Sequence, residues 1–220
     1  MNLLILGASG RTGQLVVEQA LDAGYNVTAL VRSPERLAIA NSKLRVVAGQ
    51  ATEAGDVARA MAGADAVIST LGGSGSVIAD SSRAIVEAAH MTGVKRVIVM
   101  SSFLVERDRM GTLTRLITGL ATGSKVKDKN AGEQVLRESD LDWTISYPGP
   151  LTDGPATGLV KVLPEGTKRR ITERISRADV AGWLVEAATS RETSRRGIDI
   201  TGGTQRRARA TELLGIGGMK

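Results

Sequence analysis

The chain of 220 residues has no cysteine and a single histidine, His90. Without cysteine there are no disulfides, no thiolate nucleophile and no cysteine-ligated metal. One histidine cannot build a His-rich metal cluster, and it argues against a Ser-His-Asp triad. It falls near the end of a helical stretch, EAAHMTG, where a positive charge is favourable, and no catalytic role is assigned to it. Aromatic residues are 2% of the chain, too few for base-stacking platforms. The net charge of +6 is scattered, with short runs at Lys168-Arg169-Arg170, Arg195-Arg196 and Arg206-Arg207-Arg209. No helix-turn-helix or zinc spacing accompanies those runs, so they read as solvated surface and no nucleic-acid partner is expected. No apolar run approaches the ~20 residues that span a bilayer, and the N-terminus lacks the basic region of a signal peptide. The expectation is a cytoplasmic protein with no membrane partner.

What the chain does have begins at once. Gly7-Ala8-Ser9-Gly10-Arg11-Thr12-Gly13 follows the apolar run Leu3–Leu6 and precedes the helical pattern Leu15, Val16, Gln19, Ala20. A strand, a glycine turn and a helix in that order make a dinucleotide-phosphate site. Glycines let the backbone turn tightly and let a pyrophosphate approach the main chain. The free N–H groups and positive dipole end of the following helix then face the anion. Gly7 through Gly13 are therefore expected to hold a cofactor pyrophosphate.

Apolar runs rich in Val, Ile and Leu alternate with amphipathic segments along the rest of the chain. That rhythm predicts a parallel sheet with helices on both faces. Strands are expected at Asn2–Leu6, Asn26–Val31, Leu44–Ala48, Ala66–Ser69, Arg96–Ser101, Trp143–Tyr147 and Gly197–Thr201. Helices are expected at Thr12–Ala23, Glu53–Ala62, Val77–Met91, Lys127–Ser139 and Arg177–Ser190. Gly24, Gly63 and Gly93 sit where C-terminal helix caps belong, and Ser176 with Asp179 resembles an N-cap. The fold class is α/β, a Rossmann-like doubly wound parallel sheet with a small C-terminal substrate lobe, in one domain over 1–202. Two segments break the rhythm beyond strand ends, where such sheets bind ligands: 103–124, read as a helix or lid, and 149–175, read as the substrate side. Residues 203–220 read as a basic Gly- and Arg-rich tail.

The end of the second strand bears on which nucleotide is bound. NAD-preferring folds place an acid there to accept bonds from the ribose 2′-hydroxyl. Here the residues are Val31-Arg32-Ser33-Pro34, and Arg32 offers a planar fork of donors suited to a phosphate. Arg11 reaches toward the same region and Arg36 lies one turn on. NADP(H) is the expected cofactor, with Arg32 and Ser33 at its 2′-phosphate. Gln50 follows the third strand, at a corner that the family resemblance of this chain would place at the adenine, and its amide can donate and accept hydrogen bonds there. Leu71 and Gly72, after the fourth strand, either line the cofactor path or belong to an ordinary glycine loop. Trp143 and Trp183 fit apolar faces and read as core. Tyr147 reads as strand packing beside Pro148, which adjoins the nicotinamide end.

The stretch GASGRTGQ resembles the GATGxTG signature of the atypical short-chain dehydrogenase/reductase superfamily, with Ser9 in place of the usual Thr. The resemblance extends over most of 1–202 to the NmrA-like and biliverdin reductase B/flavin reductase-like group. It is carried by TALVR, MSSFL, VLRESDLDWT, Pro148-Gly149 and ISRADVAGWL. It implies NADP(H) binding and, in some members, reduction of flavins, quinones or similar conjugated acceptors. Other members are sensors without turnover. By the same resemblance Ser101-Ser102 ends the fifth strand beside the nicotinamide. Ser101 would line the cofactor, and Ser102 would donate a hydrogen bond to the acceptor as negative charge develops. Phe103 and the loop after it would shape the pocket.

Tyr-dependent members carry Y-x-x-x-K on the next helix. The Lys position falls on Lys129, which either holds the nicotinamide ribose or is a solvated helix lysine. The Tyr position falls on Lys125, so the phenolic proton donor is missing and a nucleotide-sugar epimerase or dehydratase is disfavoured. Conjugated acceptors need little acid catalysis, because hydride transfer can precede protonation by solvent. The biliverdin reductase B-like members carry a histidine near the position of Lys129; it is absent here, so their substrate is not carried over. The reading is an NADP(H)-dependent reductase of a small planar acceptor, acting as a monomer or homodimer. The alternative is a non-catalytic NADP(H) sensor.

Overall fold

Leu3, Leu4, Ile5 and Leu6 are all removed from solvent, neighbours on opposite sides of the same strand. Both faces of that strand must therefore be covered, as in a central strand of a parallel sheet. In the computed structural model this strand, β1 (Asn2–Leu6), lies between β2 (Asn26–Val31) and β4 (Ala66–Ser69). The described residues are 1–73, 75–105, 126–168 and 172–203. The remaining strands are β3 (Leu44–Ala48), β5 (Arg96–Met100), β6 (Asp142–Pro148), β7 (Leu151–Thr152), β8 (Val160–Val162), β9 (Ile175–Ser176) and β10 (Arg196–Gly202).

The main sheet has eight strands in the order β3-β2-β1-β4-β5-β6-β10-β8. All pairs are parallel except β10–β8. Helices α1 (Arg11–Asp22) and α5 (Arg177–Thr189) cover one face through Val16, Val17, Val180 and Leu184. The other face is covered by α2 (Ala54–Met61), α3 (Val77–Thr92) and α4, which spans 126–138 among the described residues. Val57, Ile85 and Leu136 pack there. The expected α/β doubly wound architecture is the one observed. The chain leaves β1 toward β2 and β3, then crosses back to β4, which puts a topological switch point beyond the C-terminal ends of β1 and β4.

The expected elements agree to within a residue or two at their ends, the usual scatter of frayed termini. Strand β5 stops at Met100 rather than Ser101, and β6 runs from Asp142 through Pro148. The segment 149–175 is not irregular throughout. It contains β7 and β8 and leads into β9, with β7 pairing β9 and β8 joining β10 antiparallel at the sheet edge. Strands of two or three residues carry no readable period, and their partners lie far along the chain. Of 103–124, Phe103–Val105 forms one 3₁₀ turn, and the expected helix or lid beyond it lies outside the described residues, as does the tail from 204 on. Trp143 is buried as expected, whereas Trp183 is only partly buried against its cluster.

Asp179 fastens the 149–175 segment to the body of the protein. It is buried, and its carboxylate accepts from the Thr157 backbone N–H (2.7 Å), the Thr157 hydroxyl (2.9 Å), the Gly158 N–H (2.9 Å) and the Ser176 hydroxyl (2.8 Å). Ser176 in turn caps α5 by accepting from the Asp179 N–H, as its sequence position suggests. Burial alone would raise this carboxyl, but the four donors outweigh it and hold it below the ordinary range. A carboxyl with a depressed folded-state pKa adds stability above its unfolded value of about 3.9, and that stability is lost as pH falls through the folded value. Asp179→Asn is therefore expected to cost about 1–3 kcal/mol at pH 7, with the deficit shrinking once the pH is below about 4. Urea unfolding of both proteins at the two pH values measures it; a deficit that does not change with pH would contradict the assignment.

Candidate functional site

Gly7 stands at the end of β1 with φ +80°, a conformation that L side chains rarely adopt. A Cβ there would sit 2.9 Å from the Thr70 hydroxyl and 3.1 Å from the Leu71 nitrogen. A Cβ on Gly13 would lie 2.0 Å from the Gly7 carbonyl oxygen, so the first turn of α1 rests directly on the loop backbone. The Gly10 N–H donates to the Gly7 carbonyl (2.9 Å), closing the turn. Helix α1 then starts without a side-chain cap and without an acid in its first turn. That leaves its positive end open to an anion.

A cavity of about 510 Å³ opens in front of this loop, at the switch point. Gly7, Ser9 and Gly10 form one wall, and Arg32 and Arg36 stand at the end of β2. Gly49 through Thr52 follow β3, while Thr70 through Gly73 follow β4 and are backed by Val77 and Ser81 of α3. The Ser81 hydroxyl oxygen is buried with no hydrogen-bond partner among the described residues, a polar position that a bound nucleotide would satisfy. The glycine cradle, the uncapped helix end, the paired arginines and this hydroxyl fit a phosphorylated dinucleotide.

Several of the sequence-predicted residues meet here: Gly7, Ser9, Gly10, Arg32, Gln50, Leu71 and Gly72. Ala8, Thr12 and Gly13 are buried and support the loop from behind. Ser33 is not a wall; its carbonyl accepts from the Arg36 N–H at the start of a 3₁₀ turn. Arg11 does not line the cavity either. Its guanidinium lies 3.5 Å from Asp153, and both side chains are largely exposed, so the pair holds it loosely. Asp153 is held more closely by Arg177, at 2.5 Å. Gln50 has its backbone N–H committed to Asp56 (2.8 Å), which leaves the side-chain amide for a ligand.

Ser101, Ser102, Lys129 and Pro148 lie at the heads of β5 and β6 and on α4, and none of them is a wall of that cavity. The Ser102 hydroxyl accepts from the Leu104 N–H at 3.3 Å, within the turn that follows. Ser101 is buried and donates to Glu133 at 2.5 Å. The other Glu133 oxygen accepts from Tyr147 at 2.5 Å, and Arg137 donates to the Tyr147 oxygen at 2.8 Å. Tyr147 is thus tied into a polar chain and is more than strand packing. The Lys129 ammonium is near the Met100 carbonyl (3.5 Å), and burial pushes its pKa down against the pull of Glu133 and Asp128. Lys125 lies outside the described residues.

Sequence reasoning missed Glu133, Asp128, Thr70 and Ser81. Glu133 stands one helical turn after Lys129, a spacing that puts both on one face, and this was the available signal. Asp128 gave none. It accepts from the Ile78 and Ala79 N–H groups, both at 3.0 Å, and so caps α3 from a distant helix. His90 pairs with Asp140 at 2.8 Å on the surface near the end of α3.

Comparison with known proteins agrees with this geometry. The profile of a family described as NAD(P)H-binding matches residues 7–191. A protein of Bacillus subtilis (strain 168), described as an uncharacterized sugar epimerase, is 30% identical, with 97% of this chain and 100% of that protein covered. The anaerobilin reductase ChuY of Escherichia coli O157:H7 superposes with a TM-score of 0.79 at 26% identity, covering 94% of this chain and 100% of that one. A short-chain dehydrogenase/reductase of Veillonella parvula DSM 2008, solved in complex with NADP, has the same fold, with a TM-score of 0.76 at 23% identity and 91% and 94% coverage.

Proposed function

The chain belongs to the NAD(P)H-binding family, and from that premise we propose that it is an NADP(H)-dependent oxidoreductase that passes hydride to a small planar acceptor such as a flavin or quinone. The observation that carries the nucleotide choice is Arg32 with Arg36 on the cavity wall just after β2, a wall that no Asp or Glu lines among the described residues. Support for reduction comes from the reductase among the similar proteins and from the serines at the head of β5. When bound, the nucleotide supplies the hydride.

The chain's own residues have separable parts. The Gly7–Gly13 loop and the start of α1 hold the pyrophosphate, while Arg32 and Arg36 hold the 2′-phosphate. Gln50 faces the adenine, and Leu71 and Gly72 flank the path between. Lys129 holds the ribose near the reactive ring, with Pro148 and Ser101 beside it. Ser102 polarises the acceptor. An epimerase reading, suggested by the Bacillus relative's description, lacks its proton-transferring tyrosine, since Lys125 occupies that position.

NADPH oxidation with FMN, FAD and a panel of quinones, aerobically and anaerobically, tests the reading. Acceptor-dependent turnover is expected, with Ser102→Ala lowering kcat about 10²-fold or more, the cost of removing one donor to developing charge. Tight NADPH binding without turnover of any acceptor would replace the reductase with a sensor of the NADPH/NADP⁺ ratio.

A further inference from the structure

Glu133 is a buried acid, 7% exposed, that no step above uses. Each of its oxygens takes a hydroxyl: Ser101, just past β5, on one and Tyr147 from β6 on the other, both at 2.5 Å. Arg137, one turn along α4, bonds the Tyr147 oxygen and is 44% exposed in its side chain. Arg137 and Tyr147 line a second cavity of about 270 Å³, separate from the nucleotide cavity, that Glu165 and Arg196 also border. One hydrogen-bonded chain thus joins an open cavity to the head of β5. We propose that Glu133 is the proton store of the reductase, delivering a proton through Ser101 to the reduced acceptor and refilled from the second cavity through Tyr147. This inference rests on the reductase reading above.

Reduction of a flavin or quinone by NADPH takes a hydride and a proton, and the phenol that would give the proton in Tyr-dependent relatives is replaced by Lys125. The protonation state of Glu133 decides what Ser101 is able to do. With Glu133 ionised, the Ser101 hydroxyl hydrogen is spent on the carboxylate. With Glu133 protonated, the carboxyl donates to the Ser101 oxygen and frees the hydroxyl hydrogen for the acceptor. As the acceptor's anion takes that proton, the Ser101 oxygen takes the one on Glu133 and a carboxylate is left. Tyr147 then passes its phenolic proton to Glu133 as it takes a hydrated proton from solvent in the cavity beside Arg137, so that no tyrosinate forms and the net proton comes from bulk solvent.

Burial pushes the Glu133 carboxyl up, against the Ser101 and Tyr147 hydroxyls and the charges of Arg137 and Lys129 that pull it down. Asp128, next to Lys129, favours the charged form of that lysine against its burial. Burial and the facing Glu133 push the Tyr147 phenol up as well, so it stays a phenol and relays a proton only as it receives another. Glu133 is a positioning residue under this scheme, since it acts through Ser101.

Two readouts test it. Infrared difference spectra of the nucleotide-free protein, wild type minus Glu133→Gln, are expected to contain a protonated carboxyl band whose midpoint lies above the ordinary glutamate value of about 4.3. In turnover, wild-type kcat is expected to fall as pH rises through that midpoint. Glu133→Gln should lose about 10²-fold in kcat, lose the alkaline fall and keep its NADPH affinity. Tyr147→Phe should complete its first turnover at the wild-type rate and slow about tenfold afterwards, and it keeps the scheme testable if Glu133→Gln does not fold. A carboxyl titrating at the ordinary value, or a folded Glu133→Gln with wild-type kcat and pH profile, overturns the relay alone. A wild type that reduces no acceptor overturns the reductase reading and the relay with it.

Discussion

Gly13→Ala is expected to destabilise the protein by about 3 kcal/mol or more and to abolish nucleotide binding. The usual effect of alanine in a helix runs the other way, a gain of roughly 1 kcal/mol over glycine. Here the new methyl would lie 2.0 Å from the Gly7 carbonyl oxygen and 2.9 Å from the Ala8 Cα, both backbone atoms that no rotamer change moves aside. Either α1 lifts off the loop, or the loop leaves the turn closed by Gly10 and Gly7. In both cases the positive end of α1 no longer meets the cavity mouth. Gly55→Ala is the control, because the same methyl there meets nothing within 4 Å and sits in the first turn of α2. Urea unfolding should place the two variants on opposite sides of wild type, or Gly55→Ala level with it. NADPH titration should show binding only in the control. A stable, nucleotide-binding Gly13→Ala would mean that the loop is not the rigid cradle described.

That contrast also marks what was legible in the chain. Gly7, Gly10 and Gly13 were readable because the chemistry they serve is backbone chemistry, fixed by spacing within seven consecutive residues. The long strands were readable because a buried parallel strand is a continuous apolar run, as Leu3–Leu6 and Val97–Val99 are. Tertiary polar pairing has no such local trace. Asp128 caps a helix 49 and 50 residues away, and Ser101 finds Glu133 32 residues on. Arg11, inside the motif, was expected near a phosphate but lies beside Asp153, because the 149–175 segment folds back against α1 in a way that its Gly- and Pro-rich sequence does not announce. The short β7, β8 and β9 went unread for the same reason: their pairing is decided by partners distant in sequence.

Arg32→Asp is expected to weaken NADPH binding about 100-fold while leaving NADH within a few-fold of wild type, a change of about 2.8 kcal/mol in one cofactor only. Two effects add. The variant removes the planar donor fork from the end of β2, where charge-assisted bonds to a phosphate are about twice as strong as neutral ones. It also sets a carboxylate against a dianionic 2′-phosphate, while the same carboxylate accepts bonds from the 2′-hydroxyl of NADH. Arg36 shares the wall and tempers the loss, so Arg32→Asp with Arg36→Ala should lose more NADPH affinity than either change alone. Salt provides an independent check. The arginines are exposed, and the Debye length is about 8 Å at 0.15 M, so wild-type affinity for NADPH should fall with ionic strength more steeply than its affinity for NADH. In the Arg32→Asp variant that difference should flatten. An equal loss for both dinucleotides would mean that Arg32 supports the cavity wall and does not read the phosphate.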